Sequence, residues 1–286
     1  MAAAPILVAC LPSVVARPVG AAPLRYRDEV FSNVTVTSDL QYGAAPGVDG
    51  NASALKLDLY QPAGDKAAAR PALIWVHGGG YAGGDKAIGP SAFLANEFAR
   101  LGYVTVSINY RLLAPHGCTA AGGISATCLA AGVAAVNDAQ AAVRWLRANA
   151  ATYRIDLDRI GIGGESAGAI TATGVGVDSD QVGNSGNPGY SSKVNAWVSI
   201  SGGVPGGVFV DNTDPPGFLF SGTADGTVPY RWSVETATAM QAAGVPVFLK
   251  TLEGAGHVPW VQYQDLFESQ SDDFFYEFLD DAHASS

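Results

Sequence analysis

The chain has 286 residues, 48% of them apolar and only 15% charged. This excludes a disordered protein and leaves ample length for one large buried core or two small ones. Sixteen Lys and Arg against 26 Asp and Glu give a formal charge of −10, which repels phosphate backbones and sets nucleic acid aside as a partner.

At the N-terminus, Pro5 to Ala16 form an apolar run that is too short to span a bilayer and is interrupted by Pro12. It resembles the apolar part of a secretory signal, although no Lys or Arg precedes it. Residues 1–24 are therefore read as an export leader or its remnant, implying a secreted or periplasmic protein. The box Leu7-Val8-Ala9-Cys10 gives an alternative, a lipid anchor through Cys10. No other stretch reads as long and apolar enough to cross a membrane.

Residues 25–286 read as a single domain. Val30–Thr37 and Leu55–Tyr60 alternate apolar with polar, as half-exposed strands do, and Asp49-Gly50-Asn51 suits a turn between them. Ala72–Val76 is a short apolar run for a strand buried on both faces. A helical stretch, Ser91–Leu101, and a second apolar strand, Tyr103–Asn109, follow. A loop rich in Gly, Ala and Thr carries Cys118 and Cys128. In an exported protein this pair reads as a disulfide; the alternative is two unpaired thiols. Val136, Ala139, Val143 and Leu146 recur at helical spacing, with Asn137 or Asp138 as a candidate start. Then come a strand at Arg159–Gly163, a small-residue helix at Ser166–Val177, and strands at Val194–Ile200 and Phe218–Phe220. A helix at Ser233–Ala243, a strand at Val247–Leu252 and a closing helix from Phe267 to Ala282 complete the chain. Strands alternating with helices predict an α/β domain with a mostly parallel sheet covered on both faces, and the two early strands predict an antiparallel edge.

In such sheets ligands bind beyond the carboxyl ends of the strands, so the reactive residues are sought there. Arg159–Gly163 runs into Gly164-Glu165-Ser166-Ala167-Gly168, a GxSxG between strand and helix. That context suits a sharp turn which pushes a nucleophilic Ser166 hydroxyl out of the sheet. After Ala72–Val76 comes His77-Gly78-Gly79-Gly80, where glycines let the backbone approach a substrate. The N–H groups of Gly79, Gly80 and Ala167 are the candidate oxyanion hole. A base must be one of four histidines. His283 lies at the chain end, His116 in the cysteine loop, and His77 reads as a support for the glycine loop. His257, after the strand Val247–Leu252, is the choice. The orienting acid is Asp225, just past Phe218–Phe220; its rivals Asp211 and Asp214 precede that strand and open at its wrong end. Tyr81, Tyr230 and Trp260 flank these residues as possible substrate walls, against ordinary packing.

HGGG, GESAG, Asp225 and His257 resemble the α/β-hydrolase superfamily in chain order and spacing. HGGGY with Gly83-Gly84-Asp85-Lys86, Asn109-Tyr110-Arg111-Leu112 and Asn137–Ala148 are similar to the esterase branch of hormone-sensitive lipases and bacterial carboxylesterases. The loops AGHVPW and GTADGTVPY look closer to feruloyl and acetyl-xylan esterases. The resemblance implies an α/β-hydrolase fold, a Ser–His–Asp carboxylesterase and no metal or organic cofactor. The segment between Gly202 and Gly217 is too short for a helical cap, so no large cap domain is expected. The implied substrate is a small-molecule or polymer-linked ester with a short or small aromatic acyl group; oligomeric state is left open. Asp225–Tyr230 also resembles acid loops of prolyl-oligopeptidase relatives, so a serine peptidase or amidase stands as an alternative, and a non-catalytic binding protein as a third.

Overall fold

A computed structural model describes residues 22–119, 124–178, 180 and 182–280. The apolar leader through Ala21, Cys10 and His283 lie outside the described residues. Eight strands form one sheet: β1 (Val34–Pro46), β2 (Ala52–Pro62), β3 (Arg70–Val76), β4 (Val104–Ile108), β5 (Ile155–Glu165), β6 (Ala196–Ile200), β7 (Gly217–Gly222) and β8 (Val247–Leu252). Their order is β1-β2-β4-β3-β5-β6-β7-β8. β1 pairs antiparallel with β2, and β2 antiparallel with β4; every pairing from β4 to β8 is parallel. Among the described residues there are six helices: α1 (Gly89–Leu101), α2 (Ala126–Ala148), the single turn α3 (Ala150–Tyr153), α4 (Ala167–Val177), α5 (Tyr230–Ala243) and α6 (Trp260–Leu279).

Alternation along β3 divides the core. Ala72, Ile74 and Val76 point to the layer that holds α2, α4 and α5, while Leu73 and Trp75 point to the layer of α1 and α6. Every β3 residue is buried, which is why Ala72–Val76 is a continuous apolar run instead of an alternating one. The second layer is aromatic: Trp75 meets Phe98 at 5.3 Å and, edge-on, Phe275 at 6.1 Å. Truncating such a fully buried ring to Ala costs about 3–5 kcal/mol.

The predicted elements are present, with boundaries that tertiary contacts move. β1 runs on to Pro46, with register shifts against β2 that blur its alternation. α2 begins at Ala126, capped by Ser125, whose hydroxyl accepts the Cys128 N–H at 3.1 Å. Its first half is Ala-rich and exposes Leu129 and Val133, so no apolar stripe marks it. Asp138, a candidate cap by sequence, is instead a fully buried mid-helix residue. It accepts the Arg111 backbone N–H at 2.8 Å, pairs with the Arg111 guanidinium at 2.9 Å, and takes the Ser185 hydroxyl at 2.5 Å. Removing one partner of such a buried pair costs about 3–5 kcal/mol. α2 is also long and apolar enough to span a membrane by length and composition, a feature that a search for unbroken apolar runs misses; half of that stretch is buried in the fold. α6 starts at Trp260, earlier than its apolar pattern suggests. The connection from β6 to β7 holds one 3-10 turn, Pro205–Gly207, in keeping with the absence of a helical cap there.

Candidate active site

Ser166 stands where β5 passes into α4. Its backbone sits at φ 56°, ψ −121°, a sparsely populated conformation that costs roughly 1–3 kcal/mol and persists only where neighbours hold it. The Ser166 N–H donates to Ile200 O at the end of β6 (2.9 Å), and the Ser166 carbonyl accepts from Ile170 N in α4 (3.0 Å). The turn also needs close contact with β3. A Cβ on Gly168 would lie 1.9 Å from the Val76 carbonyl oxygen, so only glycine allows α4 to start this near the sheet.

The structure brings His257 and Asp225 to this serine. His257 Nε2 is 2.7 Å from Ser166 Oγ, and His257 Nδ1 is 2.8 Å from Asp225 Oδ2. The Asp225 side chain is fully buried, whereas His257 keeps about a quarter of its surface open. The other carboxylate oxygen, Oδ1, accepts the N–H groups of Thr227 (2.8 Å) and Val228 (2.9 Å). Both oxygens are thus committed, and the carboxylate has one orientation. The two loops brace each other at the ends of β7 and β8: Thr223 N–H donates to Leu252 O and Ala224 N–H to Ala255 O. Ser201, at the end of β6, accepts the Val258 N–H through its hydroxyl at 3.0 Å and so fixes the chain just after His257.

The glycine loop after β3 faces the serine. Gly79 has φ 111°, and a Cβ there would meet Gly83 O at 2.2 Å. Among the described residues, the N–H groups of Gly79, Gly80 and Ala167 have no hydrogen-bond acceptor. Three free donors thus stand in the glycine loop and at the residue that follows Ser166. Carbonyls of the same loop are anchored: Gly80 O accepts Cys118 N–H (2.9 Å) and Tyr81 O accepts Ala114 N–H (3.0 Å). Cys118 is disulfide-bonded to Cys128 in the first turn of α2.

The remaining candidates fall in different places. Tyr81 is buried, 4% exposed, and its hydroxyl donates to Ala167 O at 3.2 Å; it ties the glycine loop to α4. The Trp260 ring lies between Phe93 of α1 (5.9 Å) and Phe267 of α6 (5.8 Å). The Tyr230 hydroxyl bonds Thr251 Oγ1 at 2.8 Å. Asp211 and Asp214 bond within their own exposed loop. His77 is buried, its ring stacked 4.5 Å from Tyr110 and its Nδ1 donating to Gly78 O at 2.7 Å. Burial pushes its imidazole pKa down, so His77 is a neutral support for the loop. The sequence reading passed over three further residues: Ser201, Tyr110 and Glu165. Tyr110 and Glu165 enter it only as members of the Asn109–Leu112 and GESAG motifs, and Ser201 carries no signal beyond its place after a strand.

A mostly parallel eight-stranded sheet with an antiparallel edge, and a serine on a strand-to-helix turn at its carboxyl end, define an α/β-hydrolase fold. Residues 57–205, just over half of the chain, match the BD-FAE family model, and the chain belongs to that family. Residues 208–285 match the prolyl oligopeptidase family model; the first match holds Ser166 and the second holds Asp225 and His257. Over 134 residues the chain is 35% identical to Lipase 1 of Geotrichum candidum, covering 46% of this chain and 23% of the lipase. It therefore spans about a quarter of that curated relative. Among solved structures, a truncated carbohydrate esterase from gut microbiota superposes with a TM-score of 0.69 at 25% identity, covering 87% of this chain and 97% of the other. The esterase Est2 of the planctomycete Thermogutta terrifontis superposes with a TM-score of 0.67 at 27% identity, covering 90% and 97%. Est2 has also been solved with butyrate, with propionate and phosphorylated by paraoxon.

Proposed function

We propose that this protein is a serine carboxylesterase in which His257 removes the Ser166 proton as Oγ attacks the ester carbonyl. The observation that carries the reading is the continuous chain Ser166 Oγ–His257–Asp225, at 2.7 and 2.8 Å, next to free N–H donors. Asp225 holds the Nδ1–H tautomer and stabilises the imidazolium that forms. The tetrahedral oxyanion is taken by the N–H groups of Gly79, Gly80 and Ala167, each such donor being worth about 3–4 kcal/mol in the transition state. The imidazolium returns its proton to the leaving alkoxide, and water, deprotonated by His257, then resolves the acyl-enzyme. The preferred acyl group is short or a small aromatic, as the uncapped β6–β7 connection and the propionate and butyrate complexes of Est2 favour. The Cys118–Cys128 bond favours an exported protein.

The test is turnover of p-nitrophenyl esters of increasing acyl length, with methyl ferulate and acetylated xylan alongside, by the wild type and by Ser166→Ala. Activity that prefers short chains and vanishes in Ser166→Ala is expected; equal turnover by the two proteins would refute the nucleophile. The prolyl oligopeptidase match across Asp225 and His257 supports a second reading, amide hydrolysis by the same residues. Faster cleavage of anilides than of matching esters would select it.

A further inference from the structure

Glu165 immediately precedes the proposed nucleophile, yet its side chain turns the other way, into the fold, where it is only 6% exposed. One carboxyl oxygen, Oε1, accepts the Gly78 N–H at 3.0 Å; the other, Oε2, meets the Ser91 hydroxyl of α1 at 2.6 Å. The neighbouring groups are equally committed. The Tyr110 hydroxyl donates to His77 O at 2.9 Å and also approaches Gly78 O at 3.3 Å, the oxygen that accepts from His77 Nδ1. These contacts fix two successive peptide planes. The first joins His77 C=O to Gly78 N–H, and the second joins Gly78 C=O to Gly79 N–H. Because a peptide is planar and trans, its N–H points opposite to its C=O. Anchoring the first plane through Gly78 N–H and the second through Gly78 C=O therefore aims the Gly79 N–H. Without such anchors a run of three glycines has wide rotational freedom.

We propose that Glu165 is a positioning residue that holds the glycine loop in register with the serine turn through the Gly78 N–H, with Ser91 fixing its far oxygen. Its catalytic consequence rests on the esterase reading above. Burial pushes the Glu165 carboxyl up to about 7, against the lowering pull of Ser91 and the Gly78 N–H. The hold does not depend on ionisation. A neutral carboxyl keeps Oε1 as a carbonyl-type acceptor for Gly78 and turns its own proton on Oε2 toward Ser91 Oγ. Glutamine reproduces that pattern, with Oε1 accepting and Nε2 donating. Aspartate keeps the charge but is one methylene too short to reach both partners.

The experiment compares wild type with Glu165→Gln, Glu165→Asp and Glu165→Ala by two readouts on the purified proteins. One is amide hydrogen exchange across residues 77–84; the other is kcat and KM on p-nitrophenyl acetate. Asp and Ala are expected to speed exchange in that segment and lower kcat by about 10- to 100-fold while KM stays within about twofold, the effect of an oxyanion donor displaced by a fraction of an ångström. Gln should match wild type in both. Glu165→Asp keeps the comparison open if the Ala variant does not fold. Exchange and kcat at wild-type values in Asp or Ala, whatever their melting temperatures, would overturn the proposal. If the wild type turns over no ester, the esterase reading falls, and exchange alone decides: faster in Asp or Ala supports the positioning role, unchanged refutes it.

Discussion

Gly168→Ala offers a sharp test of how the serine turn is built. The added Cβ would sit 1.9 Å from Val76 O, 2.6 Å from Val76 C and 2.7 Å from His77 O. All three are backbone atoms of β3 and the loop that follows it, so no side chain can swing away. Restoring a 3.0 Å contact requires the start of α4 and the end of β3 to part by about 1.1 Å, a backbone shift of the kind that costs about 1–3 kcal/mol in stability. The same shift separates Ala167 N–H from the glycine loop and tilts Ser166 Oγ away from His257 Nε2. A misplacement near 1 Å costs about 100-fold in rate, or about 2.7 kcal/mol of transition-state stabilisation. Two measurements check this: a circular dichroism melt of the variant, and kcat/KM on p-nitrophenyl butyrate at saturating and limiting substrate. A folded Gly168→Ala variant with kcat/KM within twofold of wild type would show that the elbow does not depend on this contact.

Two further outcomes follow from the structure. Replacing both Cys118 and Cys128 by Ser releases a short loop, for which the chain-entropy treatment gives about 3 kcal/mol of lost stability. A denaturant melt reads that loss, and faster exchange of the backbone N–H groups at position 118 and Ala114, which donate to Gly80 O and Tyr81 O, should accompany it. Glu165 should also make stability depend on pH. Its carboxyl titrates near 7 when folded, against 4.5 for the ordinary group, so between these values the folded state carries the extra proton. Stability from this group is full below pH 4.5 and is lost as pH rises through 7, by about 3 kcal/mol in all. In Glu165→Gln the contribution is absent, so the wild-type minus variant difference in unfolding free energy should fall between pH 4.5 and 8. A difference that stays flat over that window would contradict the burial of an ionisable carboxyl at this position.

The sequence by itself determined the order and type of almost every element, because buried parallel strands and amphipathic helices leave their periods in the residues. It also determined where Ser166, Asp225 and His257 stand. Each lies within a few residues of a strand's carboxyl end, and in a parallel sheet these strand ends converge on one edge. The strained serine turn was legible for a local reason as well: only Gly164 and Gly168 around a serine permit it. Tertiary structure decided what depends on the direction of a side chain or on contacts distant in sequence. Asp138 reads as a helix cap until Arg111 and Ser185 are seen to enclose it. Tyr81 reads as a wall of the site until the fold buries its ring and gives its hydroxyl to Ala167 O. Glu165 reads as the variable position of a motif, since nothing nearby in sequence says that Gly78 and Ser91, 87 and 74 residues away, will meet its two oxygens. Periodicity records which face of an element is buried; the partner across that face is set by packing, and only the folded chain brings it within hydrogen-bonding distance.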